Sequence, residues 1–409
     1  MGSLRLCAAV AALSCVSAVE ARDVSRYKVT ELAAPASVQA GCLPNYSSGA
    51  SIGRINDFGM ATASFNCYSI VDPTTPSLIQ QGGAIVTAPW FGGVELARTS
   101  PGYTFANSIN NRGELFGFES PTDTPGLFAT RWTVSGGIER IFFDPDCDGI
   151  QVAFAVDGNG RNTIGWAFRK DPSLGSPYDF LCLISRWTIR DSAGVETVLP
   201  INGTPSGIND FDIAVGLQDR SAVRYNVRTG QLRVLHAQTS AQSLEVSQIN
   251  NLGDVVGRIT RNSTPDVWSG CDPGVGVHWD RDGRERLLPH LPGAVSSRAY
   301  GVGDNGVIVG DSGAGHYCSY TDNSSERAVL WDGGRVYDVN TLIPRGSGIT
   351  LTYAYSVNRR GQITAGGFVN GEALTQCPSY QFDSQNGTAT IVTVPCHNTH
   401  MFLLTPVGR

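Results

Sequence analysis

The chain has 409 residues, 16% of them charged, and its formal net charge of -6 comes with no cluster of basic side chains. That balance excludes nucleic acid as an expected partner. Forty-eight glycines, 21 prolines and short apolar runs suit many short strands and tight turns rather than long helices.

Residues 1–21 read as an export signal. Met1 to Arg5 is a short basic start, Leu6 to Val19 is apolar but for Ser14 and Ser17, and Val19-Glu20-Ala21 is a small-residue exit. Cleavage is expected after Ala21 or Ala18. In Ala12-Leu13-Ser14-Cys15 the leucine stands one place late for a lipobox, so lipid anchoring at Cys15 is not expected. Residues 22–409 are then expected as one monomeric domain, secreted or periplasmic, with no transmembrane segment. Lysine occurs only at Lys28 and Lys170 among 30 basic residues, a bias that hints at GC-rich bacterial coding.

Export bears on the cysteines, because disulfides persist outside the cytoplasm. Without Cys7 and Cys15 there remain Cys42, Cys67, Cys147, Cys182, Cys271, Cys318, Cys377 and Cys396. None forms a CxxC pair, which argues against a zinc knuckle or a thioredoxin-like site. The simplest pairing closes four local loops: Cys42 with Cys67, Cys147 with Cys182, Cys271 with Cys318, and Cys377 with Cys396.

One motif recurs seven times: an apolar residue, usually Asn, two variable residues, Gly, then a short β-branched run. In chain order it begins at Ile55, Ile109, Val156, Ile208, Ile249, Val302 and Val357. The spacing of about 40 to 55 residues is that of a four-stranded propeller blade. The motif is a hairpin turn, in which Asn bonds the backbone and Gly adopts a positive φ. The fourth copy has Asp212 in place of Gly, and Asp is among the residues that best tolerate that conformation.

After each turn a strand such as Asp254-Val255-Val256-Gly257 is followed by a variable loop and a third strand. The third strands close on Trp90, Trp132, Trp187, Tyr225, Trp279 and Trp331, which are expected to pack between blades. A fourth strand, such as Arg335 to Val339, completes the unit. In the last copy the third strand, Met401 to Leu404, is followed only by Thr405 to Arg409. The segment Arg26 to Leu32 looks like the missing fourth strand and is expected to close the ring, removing the exposed edges of an open array. The expected fold is all-β, a seven-bladed propeller of four-stranded blades.

Here the chain resembles the HAF-repeat family of bacterial extracellular proteins. The name-giving triplet stands as His400-Met401-Phe402, running into Leu403-Leu404-Thr405-Pro406, with degenerate copies at Arg327 to Trp331 and Ser221 to Tyr225. Asp338 to Pro344 is also similar to that family's C-terminal part. The third repeat departs most, with one extra residue in its turn. The resemblance implies an exported propeller-like repeat, with His400 as a packing residue of the repeat. It brings no reaction and no catalytic residues.

Catalytic motifs are thin. Gly310-Asp311-Ser312-Gly313 spells a trypsin-like nucleophile signature, but it falls at the end of a repeat strand, and no matching His context lies upstream. His397 and His400, three apart on an expected strand, face opposite ways and make poor joint metal ligands. Asp144-Pro145-Asp146-Cys147-Asp148-Gly149 places Asp144, Asp146 and Asp148 at alternate positions before Gly, as an oxygen-ligand calcium loop requires. Ala155 stands where an EF-hand has its bidentate Glu. An acidic surface connection is the preferred reading, and a short calcium loop the alternative; no other cofactor is expected. Asn45, Asn202, Asn262, Asn323 and Asn386 begin glycosylation sequons that matter only in a host that uses them.

Two functions fit. The preferred one is a non-catalytic propeller that binds a protein or glycan through the loop face bearing the cysteines. The other is an extracellular glycan-cleaving lyase or hydrolase with a carboxylate or calcium site on that face. No convergent acid, base and nucleophile set stands outside the repeat pattern, which favours binding.

Overall fold

The computed structural model describes residues 26–32, 47–70, 78–88, 90, 92–99, 101–142, 151–170, 182–237, 243–260, 274–313, 325–383 and 388–408. These residues form antiparallel sheets and turns, with a 3-10 turn at Val339–Thr341. The sheets stand around one axis. Innermost are the first strands of the repeats: Ser47–Ile55, Gly102–Ile109, Gln151–Gly158, Pro205–Ile208, Leu244–Ile249, Ser296–Val302 and Ile349–Val357. Each contacts the innermost strand of the next repeat, and the last contacts the first, so the circle closes and the fold is an all-β propeller.

The sheet count departs from the expected seven separate blades. Among the described residues five sheets are separate and four-stranded, those of repeats one, four, five, six and seven. Repeats two and three share one eight-stranded sheet, because Gln151 and Val152 pair in parallel with Gly126 and Leu127. Backbone groups at the ends of those two strands satisfy one another instead of ending the ladder. A further hairpin, Thr375–Asp383 with Thr388–Cys396, is inserted between the second and third strands of repeat seven.

Ring closure follows the sequence reading. Arg26–Glu31 pairs antiparallel with His400–Val407, Arg26 opposite Val407 and Glu31 opposite Phe402. Tyr27 is buried there among Leu330, Phe402 and Leu404, and burial pushes its hydroxyl up to about 12, with Asp332 adding to the rise.

The turn motif also behaves as its residues require. Glycine takes φ of 88° at Gly59, 87° at Gly253 and 75° at Gly361, and Asp212 takes 62° in the fourth copy. The Asn56 side-chain oxygen accepts from the amides of Phe58 and Met60, both at 3.0 Å, and Asn209 does the same for Phe211 and Ile213. The other end of the amide does something the sequence did not show: it donates to a backbone carbonyl of the next repeat. Asn56 reaches Asn110, Asn159 reaches Asn209, Asn209 reaches Asn250, Asn250 reaches Gly303 and Asn358 reaches Asn56, at 2.8 to 3.1 Å. The asparagines therefore form a belt around the axis as well as holding their own turns.

Buried apolar clusters lie between successive repeats. Trp132, Trp187, Trp279 and Trp331 are fully buried, as expected of inter-repeat packing, and the Trp187 indole donates to Leu217 of the next repeat at 3.0 Å. Trp90 does not follow them: it stands 61% exposed in a turn, past the end of its strand.

Candidate ligand-binding site

The axis carries two cavities, one at each end of the innermost strands. The smaller, of 130 Å³, lies among the seven motif turns and is walled by Asn and Asp side chains. The larger, of 430 Å³, lies toward the starts of the innermost strands, within the range of about 300–1,000 Å³ usual for small-molecule sites.

Arg54 lines both. Its guanidinium crosses from repeat one to Asp157 of repeat three at 2.6 Å, and donates to the carbonyls of Ser206 in repeat four and Ser247 in repeat five. Gly207 permits this approach, since a Cβ there would stand 3.3 Å from both guanidinium nitrogens and from the Asp157 carboxylate. Asp157 Oδ2 also accepts from the Ile208 amide at 3.1 Å. A buried charge is tolerable only with such a full set of partners, and the result is a floor across the channel.

Above that floor the cavity has two aromatic sides. On repeats two and three a continuous column runs Phe105, Phe118, Phe154, Trp166, Phe168. Phe105 stacks on Phe118 at 5.6 Å, and Phe154 stacks on Trp166 at 4.5 Å. Phe118 meets Phe154 edge-on at 4.8 Å, and Trp166 meets Phe168 edge-on at 5.4 Å. On repeats six and seven Tyr300 stacks on Tyr355 at 5.6 Å. Phe105, Phe118, Phe154 and Trp166 are half-buried, and all four line the cavity. These are favourable offset and edge geometries for aromatic pairs.

Polar groups sit between the two sides. Arg298 pairs with Glu245 Oε1 at 2.7 Å and lies over the Tyr300 ring at 4.7 Å. Glu245 Oε2 is buried and has no hydrogen-bond partner. Behind Tyr300, its hydroxyl donates to Asp311 at 2.6 Å. Burial lifts the Asp311 carboxyl to about 7, Glu326 adding to the rise while Tyr300, Arg298 and Arg258 oppose it. Burial likewise holds the Tyr300 hydroxyl well above its usual range, Asp311 reinforcing the effect. Tyr300 therefore stays protonated at neutral pH and is no ready base.

The residues singled out from sequence stand elsewhere or outside the described part. Asp144, Asp146 and Asp148 lie outside the described residues, as do Cys42, Cys147, Cys271 and Cys318. Cys67, Cys182 and Cys377 fall in strands, though their side chains are not among those described. Cys396 is buried and disulfide-bonded. Gly310–Gly313 ends a buried strand in which the Ser312 hydroxyl donates to Ser296, so it presents no exposed nucleophile. His400 packs its ring against buried Phe402 at 6.3 Å and in addition bridges Glu31 at 2.7 Å and Glu372 at 2.8 Å at the ring-closing seam, a polar role the sequence did not show. His397 lies before that strand and stacks on Phe368 at 3.9 Å.

The cavity residues went unnoticed in the sequence, yet a signal was there. Counting two back from the apolar residue of each motif copy gives Gly53, Asn107, Phe154, Ser206, Ser247, Tyr300 and Tyr355, and all but Gly53 line the larger cavity.

No protein-family model matches the chain, and no curated protein matches it significantly. Among solved structures it is similar to an acylaminoacyl peptidase of Pyrococcus horikoshii, with 8% identity and a TM-score of 0.47 over 83% of this chain and 56% of that one. The chain thus spans about half the length of that peptidase. The β-propeller domain of the Trilobed protease from Pyrococcus furiosus matches at 9% identity and a TM-score of 0.35, over 88% of this chain and 93% of that one. A streptogramin B lyase matches at 12% and 0.33, over 74% and 97%. At these scores the likenesses say nothing of function, and the propeller assignment rests on the strand order above. No helix among the described residues is long and apolar enough to cross a membrane.

Proposed function

We propose that the chain is an exported, non-catalytic propeller that binds a glycan in its larger axial cavity. The reading counts seven blades, each half of the eight-stranded sheet as one, in keeping with the seven turns around the axis. Export and the four local disulfides belong to the same reading, supported by the signal-like composition of residues 1–21 and by the bonded state of Cys396.

The observation that carries the proposal is the pair of facing aromatic walls with polar groups between them. A sugar ring is amphipathic in the same sense: its axial C–H faces pack on aromatic rings while its hydroxyls reach side-chain acceptors and donors at the edge. Half-buried Phe118, Phe154 and Trp166 in the wall, with Glu245 and Arg298 alongside, supply both. The enzymatic alternative has less support. Glycoside hydrolysis commonly uses two carboxylates flanking one bond, and Glu245 is the one acid among the described residues that line this cavity.

The test is a glycan array probed with the mature protein, followed by calorimetry on each hit for the wild type and Trp166→Ala. Binding weakened at least tenfold by the substitution, with unchanged circular dichroism, supports the reading; tenfold is about 1.4 kcal/mol. Absence of any glycan hit, or a variant that binds as well as the wild type, refutes it. Release of new chain ends during incubation would give the protein to the enzymatic alternative.

A further inference from the structure

We infer that the glycan enters by one end, and that the cavity recognises the terminal part of a neutral chain, with Glu245 as the acceptor for one of its hydroxyls. The inference rests on the glycan reading and specifies the class of glycan and its mode of entry.

Three observations combine. The first is the floor: Arg54, tied to Asp157, Ser206 and Ser247, stands between the two axial cavities and is the one residue common to their walls. A polysaccharide cannot thread a channel blocked by a side chain bonded to three other repeats. What enters must stop there, so a chain presents its end. The second is charge. Among the described residues the charged ones lining the cavity are Arg54, Glu245 and Arg298, and each cation has an acidic partner, Arg54 in Asp157 and Arg298 in Glu245. A uronate or sulfate would compete with the carboxylates already paired to these cations, and Glu245 would repel it. A neutral sugar meets no such opposition. The third is the unpartnered Glu245 Oε2. A buried carboxylate oxygen without a donor is costly to leave as it is, whereas a hydroxyl donating to it forms a charge-assisted bond of the stronger kind. Glu245 Oε1 is held by Arg298 at 2.7 Å and the side chain is 39% exposed where it lines the cavity; Oε2 itself is covered, so the carboxylate must turn slightly for a ligand hydroxyl to reach it.

End-on binding fixes stoichiometry in a way that lateral binding does not. For any neutral glycan that binds, light scattering on a series of chain lengths of the same polymer should find a number of proteins per chain that does not grow with length. A number that rises in proportion to length would overturn end-on entry while leaving glycan binding intact. If only acidic glycans bind, the neutral class is refuted. If no glycan binds, the functional reading fails and this inference falls with it. Glu245→Gln keeps an oxygen for Arg298 and replaces the free acceptor by an amide donor, so it should weaken binding about tenfold without lowering the melting temperature. Affinity equal to that of the wild type would remove Glu245 from the acceptor role. If Glu245→Gln melts lower, Trp166→Ala serves as the folded, weakly binding reference, and equal affinity in Glu245→Gln still overturns the assignment.

Discussion

Removing the Arg54 guanidinium while keeping its bulk, as in Arg54→Met, leaves Asp157 charged and without its cation. The two side chains are 11% and 12% exposed. The case is therefore that of a buried pair broken on one side, for which about 3 to 5 kcal/mol is typical. Residual exposure and the surviving bond from the Ile208 amide argue for the lower end, about 3 kcal/mol. Two carbonyls, Ser206 and Ser247, lose a donor as well. The double variant Arg54→Met with Asp157→Asn removes the stranded charge and retains a carbonyl acceptor for Ile208, so most of the loss should be recovered, leaving about 1 kcal/mol. Urea unfolding followed by tryptophan fluorescence measures both, since Trp166 and Trp187 lie in the repeat that holds Asp157. A single-variant cost below about 1 kcal/mol would place the pair with ordinary surface ion pairs. That result, or a double variant no more stable than the single, would refute the account of Arg54 as a desolvated tie across the ring.

The belt of asparagines yields a second expectation: Asn209→Ala loses the acceptor of two turn amides and the bond to Asn250, and should cost about 1 to 3 kcal/mol by the same unfolding assay. The seam at His400 should respond to pH. Burial pulls its imidazolium down, but the bonds from Glu31 and Glu372 outweigh this and raise the pKa above the ordinary 6.5. Stability from a raised pKa is complete below about 6.5 and is lost as pH rises through the folded value, so melting of the wild type should fall across neutral pH, and Glu31→Gln should flatten that fall. Deleting residues 26 to 32 should unpair His400–Val407 and expose an edge, which size-exclusion chromatography would report as aggregation. For Asp144, Asp146 and Asp148, melting with calcium against chelator separates a cation loop from an acidic connection, a rise abolished by Asp146→Ala indicating the former.

What was legible in the sequence was local. The turn copies repeat because each needs an Asn acceptor and a positive-φ residue within five positions, and those demands are written residue by residue, down to Asp212 in place of Gly. Closure by Arg26–Glu31 was legible because one repeat lacked a strand and a strand-like segment stands ahead of the first repeat. The cavity was not, because its parts are assembled by the ring. Arg54 meets Asp157, Ser206 and Ser247 across separations of 103, 152 and 193 residues, which no window of sequence contains. Phe154, Tyr300 and Tyr355 do share a position in the repeat, but they alternate with Asn107, Ser206 and Ser247 there, so the position shows no residue preference. The joining of repeats two and three depends on two backbone pairs at strand ends, which side chains do not specify. His400 read as packing because its neighbours Met401 and Phe402 are buried; its own bonds are to Glu31, at the far end of the chain, and to Glu372.

The seam between Gly126–Thr133 and Gln151–Gly158 gives the ring an uneven stiffness. Elsewhere the ladder does not continue from one sheet to the next, and what crosses are bonds such as the main-chain one from Asp219 to Asn202 at 2.8 Å between repeats four and three. Across this seam main-chain hydrogen bonds join repeats two and three into a single plate. The aromatic column from Phe105 to Phe168 is mounted wholly on that plate, whereas Tyr300 and Tyr355 stand on two independent sheets. The cavity thus sets a wall built on one continuous sheet against a wall built on two separate ones.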